Sequence, residues 1–474
     1  MKNLLSLFAT LSVLSAWASS TVTVTGVRQD AATGVVTVTY DLAGDPAIVT
    51  FGATTNSVAL PDAACRRVGG AVNRLVQPGT GHAVTWCPYE NDRSIVLGSA
   101  HGFAAQLKVW STNEPPDYLV YNLLYANPAA TTLHTPDSGA FSYYTSTNAF
   151  PYPVTDRRYK TDYLVMRKIP AKNVVWRMGS PTTESNRSAG AEQPHYVKLT
   201  NDFYMAIYEI TTRQAKLIGD TVGQNDGYMV TKEFPNSEPE THPVDGWGLN
   251  SLRGTAWPTN LYASVGGYLA NWQQKLGIPV DIPTDAQWEF ACRGGSPVYE
   301  KFPGEASGLT VDDVAWHNGN SLGDTVHYTG IYRMHEVGLK APNGYGLYDM
   351  LGNMSEYVLD WYASITSQLP AGKDFSTYVF EEPIGPDAPS PFSATDLRPK
   401  NTLRGGGFAS ASSYCRSACR ISFCSAYGDG PATSYCPNYP SSSTSPLYNA
   451  DAVKFQKASY GIRLTVTPAS AAVR

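Results

Sequence analysis

Charged residues are scarce in this 474-residue chain, at 16% of its composition, and lysines and arginines form no cluster. With a formal net charge of −5, the chain lacks the basic surface that nucleic-acid binding requires. After the first 18 residues, it has no apolar run long enough to cross a membrane. We therefore expect neither a nucleic-acid partner nor a membrane span.

Several familiar site motifs are missing as well. The seven cysteines never take the Cys-x-x-Cys spacing of zinc ribbons and thioredoxin-like proteins, and the eight histidines never form His-Glu-x-x-His. Neither a glycine-rich phosphate loop nor a Gly-x-Ser-x-Gly elbow occurs. These absences exclude the common zinc, nucleotide and serine-hydrolase sites.

The N-terminus has the pattern of a signal peptide over residues 1–18. A lysine precedes an apolar run over 4–14, and Ala16-Trp17-Ala18 forms an A-x-A cleavage site. We therefore expect a secreted, periplasmic or cell-surface protein, in which disulfides can form. An odd number of cysteines leaves at least one thiol free or paired between chains.

Short alternating segments after the signal predict strands without helices between them. The runs 21–25 and 35–40 flank a turn-rich segment and predict a hairpin, and similar runs continue to residue 110. An all-β sandwich of immunoglobulin-like type over 19–112 is the simplest interpretation. Cys65 and Cys87 could bridge this domain or remain as two unpaired core thiols.

The sequence then becomes rich in Pro, Asn, Ser, Thr and Tyr, which predicts a linker over 113–159. A second domain is predicted over 160–468. Within it, Thr211 and Thr284 each precede a Gln by three residues, the pattern of a capping box at a helix start.

The segment 343–357, NGYGLYDMLGNMSEY, combines three glycines with two carboxylates. Asp349 and Glu356 place hard oxygen ligands on either side of the Gly352 and Met354 carbonyls, and such oxygen sets suit Ca²⁺. The alternative is a buried turn whose carboxylates only accept backbone N–H bonds.

This segment resembles the PNGYGLYDMxGNxxEW signature of the formylglycine-generating-enzyme, or sulfatase-modifying-factor, family. IPTDAQWEFACRGG at 282–295, LRGGGF at 403–408 and YGIRL at 460–464 resemble other family segments and follow in the family's order. The resemblance implies an α+β, loop-rich fold of C-type-lectin-like type. It also implies a Ca²⁺ ion held at Asp349, Gly352, Met354 and Glu356, the middle two through backbone oxygens.

In active family members, two cysteines after the RGGS turn hold copper and oxidise a substrate cysteine to formylglycine with O₂. Counting forward from Arg404, these positions fall on Ser410 and Cys415; counting back from Arg420, even Cys415 leaves the copper position. The pair is therefore incomplete, and a hydroxyl is a poor Cu(I) ligand. The resemblance also allows a structural bridge from Cys292 to Cys415 or Cys419.

The segment after Phe408 is dense in Ser and Tyr, the composition of an adaptable binding surface or of a plain polar loop. We refer to five of its residues as the serine/tyrosine surface: Ser412, Tyr414, Tyr427, Tyr435 and Tyr439. Two hypotheses follow. The chain is a calcium-stabilised binding module for a protein or glycan, or it is an oxidoreductase of formylglycine-generating type that acts on protein cysteines through copper in a rearranged site.

Overall fold

The computed structural model describes residues 20–30, 32–88, 102–125, 140–219, 240–244, 252–253, 267–322, 332–383, 400–424 and 460–466. These residues form two compact units, which divide between Ser111 and Thr112. Within these ranges, no helix has the length and hydrophobicity that a membrane span needs.

The first unit consists of two antiparallel sheets. One has the order β1-β2-β7-β5, and the other has the order β4-β3-β6, with β8 also pairing with β3. The strands are β1 (Thr21–Gln29), β2 (Val36–Ala43), β3 (Ala47–Thr55), β4 (Val58–Ala59), β5 (Gly69–Gly70), β6 (Arg74–Val76), β7 (Gly79–Trp86) and β8 (Ala104–Trp110).

The core of the first unit draws side chains from both sheets. In β2, Val36, Val38 and Tyr40 are fully buried and alternate with half-buried residues, the period-two pattern of a strand with one face inward. They form one apolar cluster with Val49 of β3 and Trp86 of β7. The predicted β1–β2 hairpin is confirmed, and the unit is all-β; its immunoglobulin-like topology remains a prediction.

The second unit is sheet-rich with short helices. Its sheets have the orders β10-β9-β11-β14-β22, β12-β13-β18, β15-β16 and β20-β19-β17-β21. The strands are β9 (Tyr118–Asn122), β10 (Phe141–Tyr144), β11 (Tyr163–Ile169), β12 (Val174–Met178), β13 (His195–Leu199), β14 (Phe203–Ala206), β15 (Ala315–Trp316), β16 (Leu351–Gly352), β17 (Ser355–Trp361), β18 (Val379–Glu381), β19 (Lys400–Arg404), β20 (Ile421–Cys424), β21 (Tyr460–Gly461) and β22 (Thr465–Val466). The helices are α1 (Arg158–Thr161), α2 (Thr212–Leu217), α3 (Tyr268–Leu276), α4 (Asp285–Cys292) and α5 (Val311–Val314).

The predicted linker over 113–159 is corrected by this sheet arrangement. β9 lies inside that range and pairs antiparallel with both β10 and β11. Phe150 and Tyr159 are buried in the apolar core of the second unit. The segment is therefore part of the second unit's sheet, because its aromatic residues pack against strands that come later in the chain.

Helices α2 and α4 begin where the sequence predicts. The side chains of Thr211 and Thr284 accept hydrogen bonds from the backbone N–H groups of Gln214 and Gln287. In turn, the side-chain oxygen of each glutamine accepts a hydrogen bond from the backbone N–H of its threonine. This reciprocal capping box satisfies two backbone donors at each helix start. The capping box at Thr284 thus fixes where α4 begins.

Candidate functional site

The predicted calcium segment folds as a tight turn that leads into β17. The side chain of Asn343 accepts hydrogen bonds from the backbone N–H groups of Tyr345 and Leu347, at 3.0 and 3.1 Å. Gly352 has a φ of +73°, and a Cβ there would lie 2.3 Å from the Trp316 carbonyl oxygen. Only glycine fits this close approach between β15 and β16.

Asp349 is buried in this turn, with 2% of its surface exposed. Its Oδ2 accepts a 2.6 Å hydrogen bond from the Gly338 N–H. Its Oδ1 is buried and has no hydrogen-bond partner among the described residues. Burial raises the pKa of Asp349 to about 6, since water no longer solvates the charged form.

Glu356 is fully buried, and the guanidinium of Arg463 compensates its negative charge. Its Oε1 lies 2.9 Å from Nε and 2.7 Å from Nη2 of Arg463, and its Oε2 accepts a 2.7 Å bond from the Trp288 indole. Both carboxylate oxygens are therefore occupied by protein donors. A metal ion at this position would have to share them.

Glu209 is a third buried carboxylate, to which sequence analysis assigned no role. Its oxygens accept hydrogen bonds from the Met354 N–H at 2.9 Å and the Asn353 amide at 2.7 Å. Burial, together with the negative charges of Asp349 and Glu356, raises the pKa of Glu209 well above its usual range. Nothing in the sequence marked Glu209 as buried beside the turn.

These three carboxylates share one buried guanidinium, that of Arg463, which attracts all three. The Lys160 ammonium also acts on Asp349 but is paired with Glu336 at 2.7 Å. The surplus of negative charge and the unpartnered Oδ1 of Asp349 fit a bound cation, which would neutralise the cluster. Within the described ranges, no three His, Cys, Asp or Glu side chains form a metal cluster. A calcium ion would therefore depend on backbone oxygens, and it remains a prediction.

The predicted copper positions lie on the loop after β19. Ser410 closes a turn: its Oγ accepts from the Gly407 N–H at 3.0 Å, and its own N–H donates to the Gly407 carbonyl at 2.8 Å. Its carbonyl accepts from the Asn318 N–H at 2.9 Å. The hydroxyl thus closes a turn at the position that the forward count from Arg404 assigns to the first copper cysteine.

Cys415 is 0% exposed and belongs to the apolar core of the second unit. Burial raises the pKa of Cys415 above its usual range, and the neighbouring Cys419 adds to the effect. Burial also raises the pKa of Cys419 to about 12. Burial thus favours the protonated form of both thiols, which is the weaker nucleophile, and a copper ion would have to displace their protons.

The predicted bridge from Cys292 to Cys415 or Cys419 is corrected, because all three are free thiols in the structure. Cys65 and Cys87 are also free, which is the second of the two alternatives that the sequence left open. Cys292 lies in the apolar core of the second unit and Cys65 in that of the first, whereas Cys87 Sγ lies 4.0 Å from the Thr33 carbonyl oxygen. Their side chains therefore have partners other than sulfur. The side chain of Cys424 and all of Cys436 lie outside the described residues.

A buried ion cluster lies directly beside Cys415. Arg416 donates to Glu184 Oε1 at 2.5 Å and to the two oxygens of Glu192 at 2.7 and 2.9 Å. A second cluster joins Arg404 to Asp285 and to Glu289, the latter at 2.6 Å. These pairings span more than a hundred positions and could not be inferred from the sequence.

Two of the five residues of the serine/tyrosine surface are described. Ser412 is exposed and Tyr414 is half-buried, and both lie in a single 3₁₀ turn, Ser412–Tyr414. Tyr427, Tyr435 and Tyr439 lie outside the described residues.

Residues 166–467 match the family model of the sulfatase-modifying factor enzyme 1-like domain. The chain belongs to the FGE-sulfatase family. Its relatives include formylglycine-generating enzymes from Thermomonospora curvata, 27% identical over 150 residues, and from Bos taurus, 30% identical over 139 residues. Each match covers 28% of this chain, with 40% of the bacterial enzyme and 31% of the bovine one.

Among solved structures, this FGE-sulfatase family member is similar to Treponema denticola variable protein 1. The TM-score is 0.41 at 20% identity, and the match covers 64% of this chain and 95% of that one. The family of the second unit is established by the family model, and its described residues form a sheet-rich architecture with few helices.

Proposed function

We propose that this protein is an exported binding module of the FGE-sulfatase family that does not generate formylglycine. Two features together carry the proposal: Ser410 closes a turn through its hydroxyl, and the thiol of Cys415 is fully buried. Copper-dependent oxidation in the family depends on two accessible thiolates. Here the forward count from Arg404 places the hydroxyl of Ser410 at one of these positions, and the thiol of Cys415 at the other is shielded from solvent.

The proposed ligand is a protein or glycan that contacts the serine/tyrosine surface. Support comes from the exposed Ser412 and from the composition of the segment that follows, since tyrosine provides rigid amphipathic area and serine provides adaptable hydrogen bonds. A calcium ion at the Asp349 turn would stabilise the fold of the second unit. Export through the signal peptide would place the ligand outside the cytoplasm.

Copper binding and peptide oxidation test this proposal together. The secreted protein is titrated with Cu(I) against a competing chelator and then incubated with a cysteine peptide and O₂. We expect no stoichiometric copper and no formylglycine. Ser410→Cys is the matched variant for the same two measurements, because it adds a second sulfur at position 410 without changing the buried thiol of Cys415.

One observation favours the alternative oxidoreductase: Cys415 and Cys419 are both free, and Cys419 lies close enough to Cys415 to help raise the pKa of Cys415. If that pair were catalytic, wild-type protein would load copper and Cys419→Ser would abolish the loading. Loading in the wild type would contradict the binding-module proposal.

A further inference from the structure

A groove with a volume of about 680 Å³ runs along β12 in the second unit. Within the described part of the chain, β12 pairs only with β13 and is the edge of its sheet. Four consecutive residues of β12, Val174 to Arg177, border the groove. Successive side chains of a strand point to opposite faces of the sheet. A groove on one face would contact only every second residue, so a groove bordered by all four residues lies along the unpaired edge of the strand.

This edge carries exposed apolar side chains. Val174 is 38% exposed, Val175 is 52% exposed, and Val298 across the groove is 58% exposed. An edge strand with exposed β-branched residues is a template for the addition of another strand. Its backbone donors and acceptors supply affinity, and the flanking pockets select alternate side chains.

Aromatic side chains from β12 and from the segments that face it line the groove, and their rings contact one another. Trp176 meets Phe290 edge to face, with centroids 5.4 Å apart, and Phe290 stacks on Tyr345 at 6.4 Å. The Arg293 guanidinium lies 4.6 Å from the Tyr299 ring and 5.5 Å from the Trp176 ring. The rings therefore give the groove a lining against which apolar side chains can pack.

The charge in the groove is positive. Its lining includes two arginines and no acidic residue. Arg293 is paired with Glu289 at 2.5 Å, whereas Arg177 is exposed and has no ion-pair partner among the described residues. A ligand with an acidic side chain opposite Arg177 would complement this unpaired charge.

We propose that the β12 groove binds an extended peptide segment of a partner protein, which adds as a strand to β12. Alternate apolar side chains of the peptide enter the groove, and an acidic side chain pairs with Arg177. This inference rests on the proposed binding function and names its partner class; the lining of the groove includes none of the five residues of the serine/tyrosine surface.

Peptide display on the secreted, full-length protein tests the proposal. Random peptides shown on phage should yield sequences that alternate apolar residues with Asp or Glu. A synthetic enriched peptide should bind about tenfold more weakly to Arg177→Glu, because an attractive charge pair becomes repulsive. Val175→Asp should weaken it similarly. Lys373→Glu, an exposed charge reversal outside the groove, should leave the affinity unchanged.

Peptide N-methylation separates strand addition from other modes of binding. In an added strand, alternate amides face the partner strand, so methylating one set should abolish binding while methylating the other set should preserve it. Equal effects of both sets would overturn the proposal. So would glycan-array binding that depends on Arg177 without any peptide binding, or self-association of the chain through this edge, measured by sedimentation and lost in Arg177→Glu.

Failure of this inference is distinguishable from failure of the proposed function. If binding of the enriched peptide survived Arg177→Glu but was lost on substitution of Ser412 and Tyr414, the β12 proposal would be wrong and the proposed function would still stand. Copper-dependent peptide oxidation by the wild type would sink the proposed function, whatever the β12 groove binds.

Discussion

Replacing Arg416 with methionine should destabilise the second unit strongly. The Arg416 side chain is 2% exposed and is held by Glu184 and Glu192, whose side chains are 7% and 1% exposed. Removing one partner of a buried ion pair costs about 3–5 kcal/mol, because it leaves an uncompensated buried charge. Since two carboxylates lose the same guanidinium here, we expect about 5 kcal/mol. Hydrogen exchange with mass spectrometry measures the opening free energy of second-unit peptides separately from the first unit.

Two further variants make this prediction specific. Arg416→Met combined with Glu184→Gln and Glu192→Gln leaves no unpaired charge, so it should regain at least half of the lost stability. Lys198→Met removes a solvent-accessible pair with Glu381 and should cost no more than about 1 kcal/mol. The reasoning would be refuted if Arg416→Met cost as little as the surface variant, or if the triple variant were no more stable than the single one.

Three further predictions concern metal, thiols and pH. Chelation should lower the melting temperature of the wild type, since an ion bound only to the native state stabilises it, and should have no effect on Asp349→Asn. Iodoacetamide should label the half-buried Cys87 in native protein and Cys415 only after unfolding. Burial opposes ionisation of Asp285 and Glu289, but the adjacent guanidiniums outweigh it and lower the pKa of each. Their stabilisation is therefore complete above the unfolded pKa values, and the free energy of unfolding should decrease as the pH falls below about 4.

Each of these has an opposing outcome. A chelator effect that persists in Asp349→Asn would place the metal elsewhere. Native labelling of Cys415 as fast as that of Cys87 would mean that the buried thiol is reachable. A free energy of unfolding that rises on acidification through pH 4 would mean that the two carboxyls are not held ionised by their arginines.

Local features of the fold could be predicted from the sequence because their causes lie within a few residues. The capping boxes at Thr211 and Thr284 need only a glutamine three positions later. The C-terminal end of α3 at Gly277, which adopts a φ of +70°, follows from the conformational freedom of glycine. The alternation in β2 likewise reflects one buried face of one strand.

Features that depend on distant partners could not be predicted in the same way. β9 has the composition of a loop-rich segment and becomes a strand because it pairs with β11, which begins some forty positions later. The cysteine pairings failed for a related reason, since sequence does not supply the distance between two Cα atoms that a disulfide needs. Glu209 and Arg463, which meet Asp349 and Glu356 around the turn, come from opposite ends of the domain.

The presence or absence of formylglycine is the most direct test of the central claim. The secreted wild-type protein, supplied with copper and O₂, is incubated with a peptide that contains a single cysteine, and the peptide is analysed by mass spectrometry. A turn-closing Ser410 and a buried, protonated Cys415 predict unchanged peptide. Conversion of the cysteine to formylglycine that requires the protein would contradict the account.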